Sequence, residues 1–85
     1  MHLHIHNAKK VTFDGRDCFI LSLLDDRGNL LFDPQRKRYD PEATSEHTTL
    51  PEAITAAREL AKRRGVPSIT VERGNGLPPE KIIPG

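Results

Sequence analysis

Residues Thr49 to Gly76 dictate more local structure than any other part of the chain. Thr49 followed three residues later by Glu52 is a capping box, Pro51 falls in the first turn where a missing N–H costs little, and Gly65 supplies a left-handed exit. Between these signals Leu50, Ala53, Ile54, Ala57, Leu60 and Ala61 recur at steps of three and four, which predicts one amphipathic helix over 50–64. Half of that stripe is alanine, so the helix can lie close on a sheet. Glu52, Arg58, Glu59, Lys62 and Arg63 fall on its outer side, and Lys62, Arg63 and Arg64 complement the carbonyl end of the dipole. After Pro67, Ile69 and Val71 alternate with Ser68, Thr70 and Glu72, the pattern of a strand with one apolar face.

The first third of the chain alternates as well. Leu3, Ile5, Val11 and Phe13 share one parity and His2, His4, His6, Lys10 and Thr12 the other, while Cys18 to Leu24 is apolar on both parities, as in a central strand. Asp14-Gly15 and Arg27-Gly28 mark hairpin turns, and Pro34 ends a third strand over 29–33. Two-residue turns would set Ile5 opposite Leu24 and Leu24 opposite Leu31. Leu3, Ile5, Val11, Phe13, Cys18, Ile20, Leu24 and Leu31, joined by Ile69 and Val71, would then face the helix, and Phe19, Leu21, Leu23, Leu30 and Phe32 would lie on the uncovered side. The expected fold is therefore α+β: a three-stranded antiparallel meander, one helix packed on one face, and a fourth edge strand beside the first, in the order strand-strand-strand-helix-strand. It is a single domain over 1–85, with a long loop at 34–48 holding a short extended piece at 36–39, and an irregular tail at 74–85.

Thr49, Glu52-Ala53, Ala57, Leu60-Ala61 and the strand and Arg-Gly-Asn-Gly turn over 68–76 resemble a family of small uncharacterised bacterial domains built from a short sheet, a Thr-x-x-Glu-Ala helix, a strand and a glycine turn. The likeness covers residues 49–76. It implies fold and no activity, since that family has none assigned.

Composition limits the functions open to such a chain. Its 85 residues bury only about 60 to 65 per cent of their unfolded surface, the net charge is +1, and the hydrophobic share is 35%. One cysteine, Cys18, excludes an internal disulfide and reads as a small buried hydrophobe. With no apolar run near 20 residues and no charged-then-apolar leader, the expectation is a cytoplasmic protein without a membrane partner.

Candidate chemistry is sparse. His2, His4 and His6 on one strand face would stand about 6.6 to 7 Å apart, a spacing that metal sites use, with His47 or Asp25 as a further ligand. No second group orients them, so no metal and no cofactor is expected. Two basic clusters, Arg36-Lys37-Arg38 beside Tyr39, and Arg58, Lys62, Arg63 and Arg64, are candidate phosphate contacts. Asp40, Glu42, Glu46, Glu52 and Glu59 dilute them, which makes nucleic-acid binding the second reading. Ser22, Ser45 and Ser68 show no base at a readable spacing, and no catalytic residue is assigned. The first reading is a non-enzymatic protein-interaction module that forms a homodimer through Phe19, Leu21, Leu23, Leu30 and Phe32.

Overall fold

The computed structural model of the protein describes residues 1–9, 17–73 and 76–83. Its elements are β1 (His2–Lys9), β2 (Asp17–Leu24), β3 (Phe32–Asp33), β4 (Arg38–Tyr39), β5 (Thr44–His47), α1 (Leu50–Arg64), β6 (Ile69–Val71) and β7 (Glu80–Ile82). The Asp14-Gly15 turn, Val11 and Phe13 lie outside the described residues.

The helix forms over the expected span. The Thr49 hydroxyl accepts the Glu52 N–H at 3.3 Å, and the Glu52 carboxylate reaches back one residue further than in a capping box, to the Thr48 hydroxyl at 2.9 Å. At the other end Gly65 adopts φ 66°, and Val66 N–H donates to the Ala61 carbonyl at 3.0 Å, which closes a Schellman-type exit and tucks Val66 into the core.

Five strands make the main sheet, in the order β5-β2-β1-β6-β7. β1 runs antiparallel to β2 and parallel to β6; β5 is antiparallel to β2, and β7 to β6. The chain is thus a mixed α and β fold in which β5, α1 and β6 form a crossover that passes over β2 and β1. Beside β1 the strand at 69–71 stands where expected. It is no edge strand, however, because residues of the supposed tail add β7 outside it.

The meander itself is not formed. The third position in the sheet belongs to β5, drawn from the supposed loop, and the segment expected there contributes only a bridge between Leu24 and Leu30 and a hydrogen bond from Leu31 N–H to the Leu23 carbonyl. The turn at Arg27-Gly28 is longer than two residues. Asp25 N–H donates to the Asn29 carbonyl at 2.8 Å, the Asp25 carboxylate accepts the N–H groups of Arg27 and Asn29, and Gly28 takes φ 83°. Beyond it β3 and β4 form a separate two-stranded hairpin.

The register of β2 on β1 decides which side chains meet the helix. Leu3 faces Leu23 and Ile5 faces Leu21, three residues away from the pairing that a two-residue Asp14-Gly15 turn would impose. Because side chains alternate, an odd shift moves every β2 residue to the other face. The consequence is a core of Leu3, Ile5, Leu21, Leu23, Ile69 and Val71 beneath Ala53, Ala57, Leu60 and Ala61, with Phe19, Leu31 and Ile82 packed against its margin. This pairing turns Phe19, Leu21 and Leu23 to the covered face, where the other register would turn Cys18, Ile20, Ser22 and Leu24, and the added apolar burial outweighs the local preference of a dipeptide turn.

Candidate functional site

The expected interaction face does not exist as a surface. Leu21 and Leu23 are buried, 2% and 0% exposed, and Phe19 packs on the core from the same face. Leu30 is half-buried beside Leu24, and of the five only Phe32 is exposed, on the β3–β4 hairpin and away from the main sheet. The side opposite the helix instead carries His2, His4 and His6 from β1, with Cys18, Ile20, Ser22 and Leu24 from β2 and Thr70 and Lys81 from β6 and β7. Ile20 and Leu24 are the large aliphatic members from β2, and both are already half-buried.

The histidines share a face, as their spacing requires, but each has a different environment. His2 Nδ1 lies 3.1 Å from the Ser68 hydroxyl, and burial holds its pKa below the usual imidazole range, with repulsion from His4, Lys81 and the terminal ammonium adding to the effect. His4 Nε2 is 3.2 Å from Glu72 Oε1, and its ring stacks on that of His6 with centroids 5.7 Å apart. His6 Nδ1 is buried without a hydrogen-bond partner among the described residues. The proposed further ligands are elsewhere. Ser22, not Asp25, faces His4, Asp25 serves the turn, and His47 projects from β5 on the helix side of the sheet. Among the described residues no group of three His, Cys, Asp or Glu is placed to hold a metal ion.

On that helix side, β5 and α1 leave a groove. One hollow of about 450 Å³ is lined by His47, Pro51, Glu52, Thr55, Ala56 and Glu59. A second, of about 180 Å³, lies between Leu21, Pro41, Glu42, Thr44, Ser45, Leu60 and Arg63 and borders the first at Ala56. The groove arises because Ala56, a small residue at the helix margin, stands opposite the short polar residues of β5. Ser45 and His47, two residues apart and therefore on the same side of the strand, bring Oγ and Nε2 to 2.9 Å. This contact was missed in the sequence because a spacing of two becomes a contact only once the segment is known to be a strand. Beside the groove, among the described residues, β5 is the outer strand of the sheet. Leu23 N–H donates to the Ala43 carbonyl at 2.8 Å, so the alternation of an antiparallel pair turns the backbone groups of Thr44 away from β2.

The two basic clusters meet at one end of the molecule and are partly consumed there. Arg64 reaches Asp40 Oδ2 through Nη1 at 3.1 Å and Glu42 through Nε at 3.4 Å, and Arg63 reaches Glu42 at 2.6 Å. The Arg64 guanidinium holds the Asp40 carboxyl below its ordinary range, assisted by the Glu42 N–H, and Arg63 does the same for Glu42. In the hairpin the Asp33 carboxylate accepts the N–H groups of Gln35 and Arg36 at 3.0 and 3.3 Å, which folds the four-residue turn, and Lys37 adopts φ 55° at its end. Phe32 and Tyr39 pack edge to face with centroids 5.4 Å apart. Arg36 lies 3.7 Å from Asp33, while Lys37, Arg38, Arg58 and Lys62 have no ion pair among the described residues.

Comparison of the chain with protein-family models, with curated proteins and with solved structures finds no match. Among the described residues no helix is long and apolar enough to cross a membrane.

Proposed function

We propose that the chain is a non-enzymatic interaction module that pairs with a second copy of itself along β5 and the adjoining groove. The observation that carries this reading is the coincidence of an outer strand with two hollows that adjoin at Ala56 between that strand and the helix. Strand addition supplies affinity through backbone hydrogen bonds, and a neighbouring groove receives alternate side chains. Two copies of β5 laid antiparallel about Ser45 bring no like charges opposite each other and set both helices on one side of the enlarged sheet. Leu21, Leu60, Ala56, Pro41 and Pro51 give the groove an apolar floor, while Glu52, Glu59 and Arg63 supply a polar rim. The Ser45–His47 contact belongs to this surface as a solvated pair on a strand. Sedimentation velocity at micromolar concentration tests the reading. A dimer is expected, and Ala56→Arg, which fills the groove without entering the core, is expected to return it to monomer. A wild-type monomer up to about 100 times the concentration at which such interfaces associate, or a dimer that ignores Ala56→Arg, refutes it.

A further inference from the structure

We propose that the β3–β4 hairpin is a contact site for single-stranded nucleic acid, with Phe32 and Tyr39 as a stacking platform and Arg36, Lys37 and Arg38 as phosphate contacts. This activity is separate from self-association and uses a different part of the surface. Phe32 is 47% exposed and Tyr39 60%, and both stand on a two-stranded ribbon outside the five-stranded sheet, where they add nothing to the core. Their edge-to-face contact occupies one face of one ring, and both side chains keep about half of their surface exposed. Every base has a stackable face, so such a platform suits an unpaired strand; a duplex keeps its bases inside.

The charge pattern fits the same ligand. In sequence the basic run is followed at once by Asp40 and Glu42, which would weaken its hold on a phosphate. In the fold both carboxylates are neutralised by Arg64 and Arg63 from the helix end. Asp33 remains, 3.7 Å from Arg36, and its carboxylate is also committed to the turn amides. Lys37, at the end of the bend, has no ion pair among the described residues; Arg38, directly before Tyr39, makes none either, although it stands opposite Asp33 on the other face of the ribbon from Phe32 and Tyr39. The helix arginines thus act indirectly, by masking the carboxylates beside the site.

Three phosphate contacts on a single strand give a logarithmic salt slope of about −2, so raising salt from about 50 to about 200 mM should weaken binding about 18-fold. Fluorescence anisotropy of labelled oligothymidylate and oligouridylate of about twelve nucleotides, titrated with the full chain, measures this. Binding of either strand with that salt dependence supports the site. Tyr39→Ala is expected to weaken binding at least about fivefold, the lower limit of the stacking range. Lys37→Glu combined with Arg38→Glu is expected to abolish it, while Arg58→Glu on the helix leaves it unchanged. Failure to bind at low salt, equal or tighter binding of a duplex of the same length, or indifference to both hairpin variants overturns the proposal.

Discussion

Truncating Leu23 and truncating its neighbour Leu24 should have very different costs, and the contrast tests the register on which the fold rests. Leu23 is fully buried among core residues that include Ala53 and Ala57 of α1, whose short side chains cannot extend into a void. Leu23→Ala should therefore leave most of its cavity open and cost about 3 to 4 kcal/mol, within the range for buried leucines. A domain of this size has only about 4 to 13 kcal/mol to lose, so the substitution removes a large share of the folded margin. With a urea slope near 1 kcal/mol per molar for a small domain, the unfolding midpoint should fall by about 3 M. Leu24 points to the opposite face and is half-exposed, so Leu24→Ala should cost about 1 kcal/mol or less. Both substitutions lose similar strand propensity, which cancels in the comparison. Urea melts followed by circular dichroism decide the matter. Equal costs, or a larger one at Leu24, would mean that β2 lies on β1 in the register of the dipeptide turn and that Leu21 and Leu23 are on the open side after all.

Asp40→Ala removes the half-buried partner of Arg64 and should lower stability at neutral pH by about 1 to 2 kcal/mol, allowing for solvent access, seen as a fall in Tm of about 5 to 10 °C. Because the carboxyls of Asp40 and Glu42 are held below their ordinary 3.8 and 4.5, the folded state binds fewer protons than the unfolded one there; their stabilisation is complete above those values and should drain away as pH falls below about 4, with a shallower acid limb in Asp40→Asn. His2 acts in the same direction, its lowered pKa costing stability as pH drops below its ordinary 6.5, and thermal melts between pH 7 and 5 should show that loss vanish in His2→Gln. Gly65→Ala should cost about 1 kcal/mol from backbone strain alone, since a Cβ there meets no neighbouring atom at φ 66°; an unchanged melting temperature would contradict the left-handed exit. Zinc added to tag-free protein should leave Tm unchanged, because among the described residues no group of three His, Cys, Asp or Glu is placed to hold an ion, and a rise that saturates at one equivalent would refute this.

Local signals carried the helix, and the existence of β6 beside β1, from sequence to structure. Thr49, Pro51 and Gly65 act within one turn of themselves, and the stripe from Ala53 to Ala61 needs only a sheet to rest on. β5 and β7 were illegible for the opposite reason. Thr-Ser-Glu-His and Glu-Lys-Ile show no apolar alternation, and they are strands because the backbones of β2 and β6 offered hydrogen bonds that a solvated loop can also take. Asp33-Pro34 read as a stop and is a turn, since the Asp33 carboxylate bonds forward to two amides. The order of the basic residues beside Tyr39 could be seen in the chain; the cancellation of Asp40 and Glu42 by Arg64 and Arg63 could not, because it joins groups more than twenty residues apart. The groove at Ala56 belongs to two elements at once and has no sequence signature.

The parallel pairing of β1 with β6 places the earliest strand of the chain in the middle of the sheet and its neighbour some sixty residues later. During synthesis on a ribosome, β1 and β2 emerge as a ribbon whose Leu3, Ile5, Leu21 and Leu23 have no cover until α1 follows, and one side of β1 stays open until Val71 has left the exit tunnel. Contacts so distant along the chain are closed late and slow the folding reaction. For that interval the nascent ribbon is a sticky object, and a cell making this protein quickly has reason to keep a holding chaperone near the tunnel mouth.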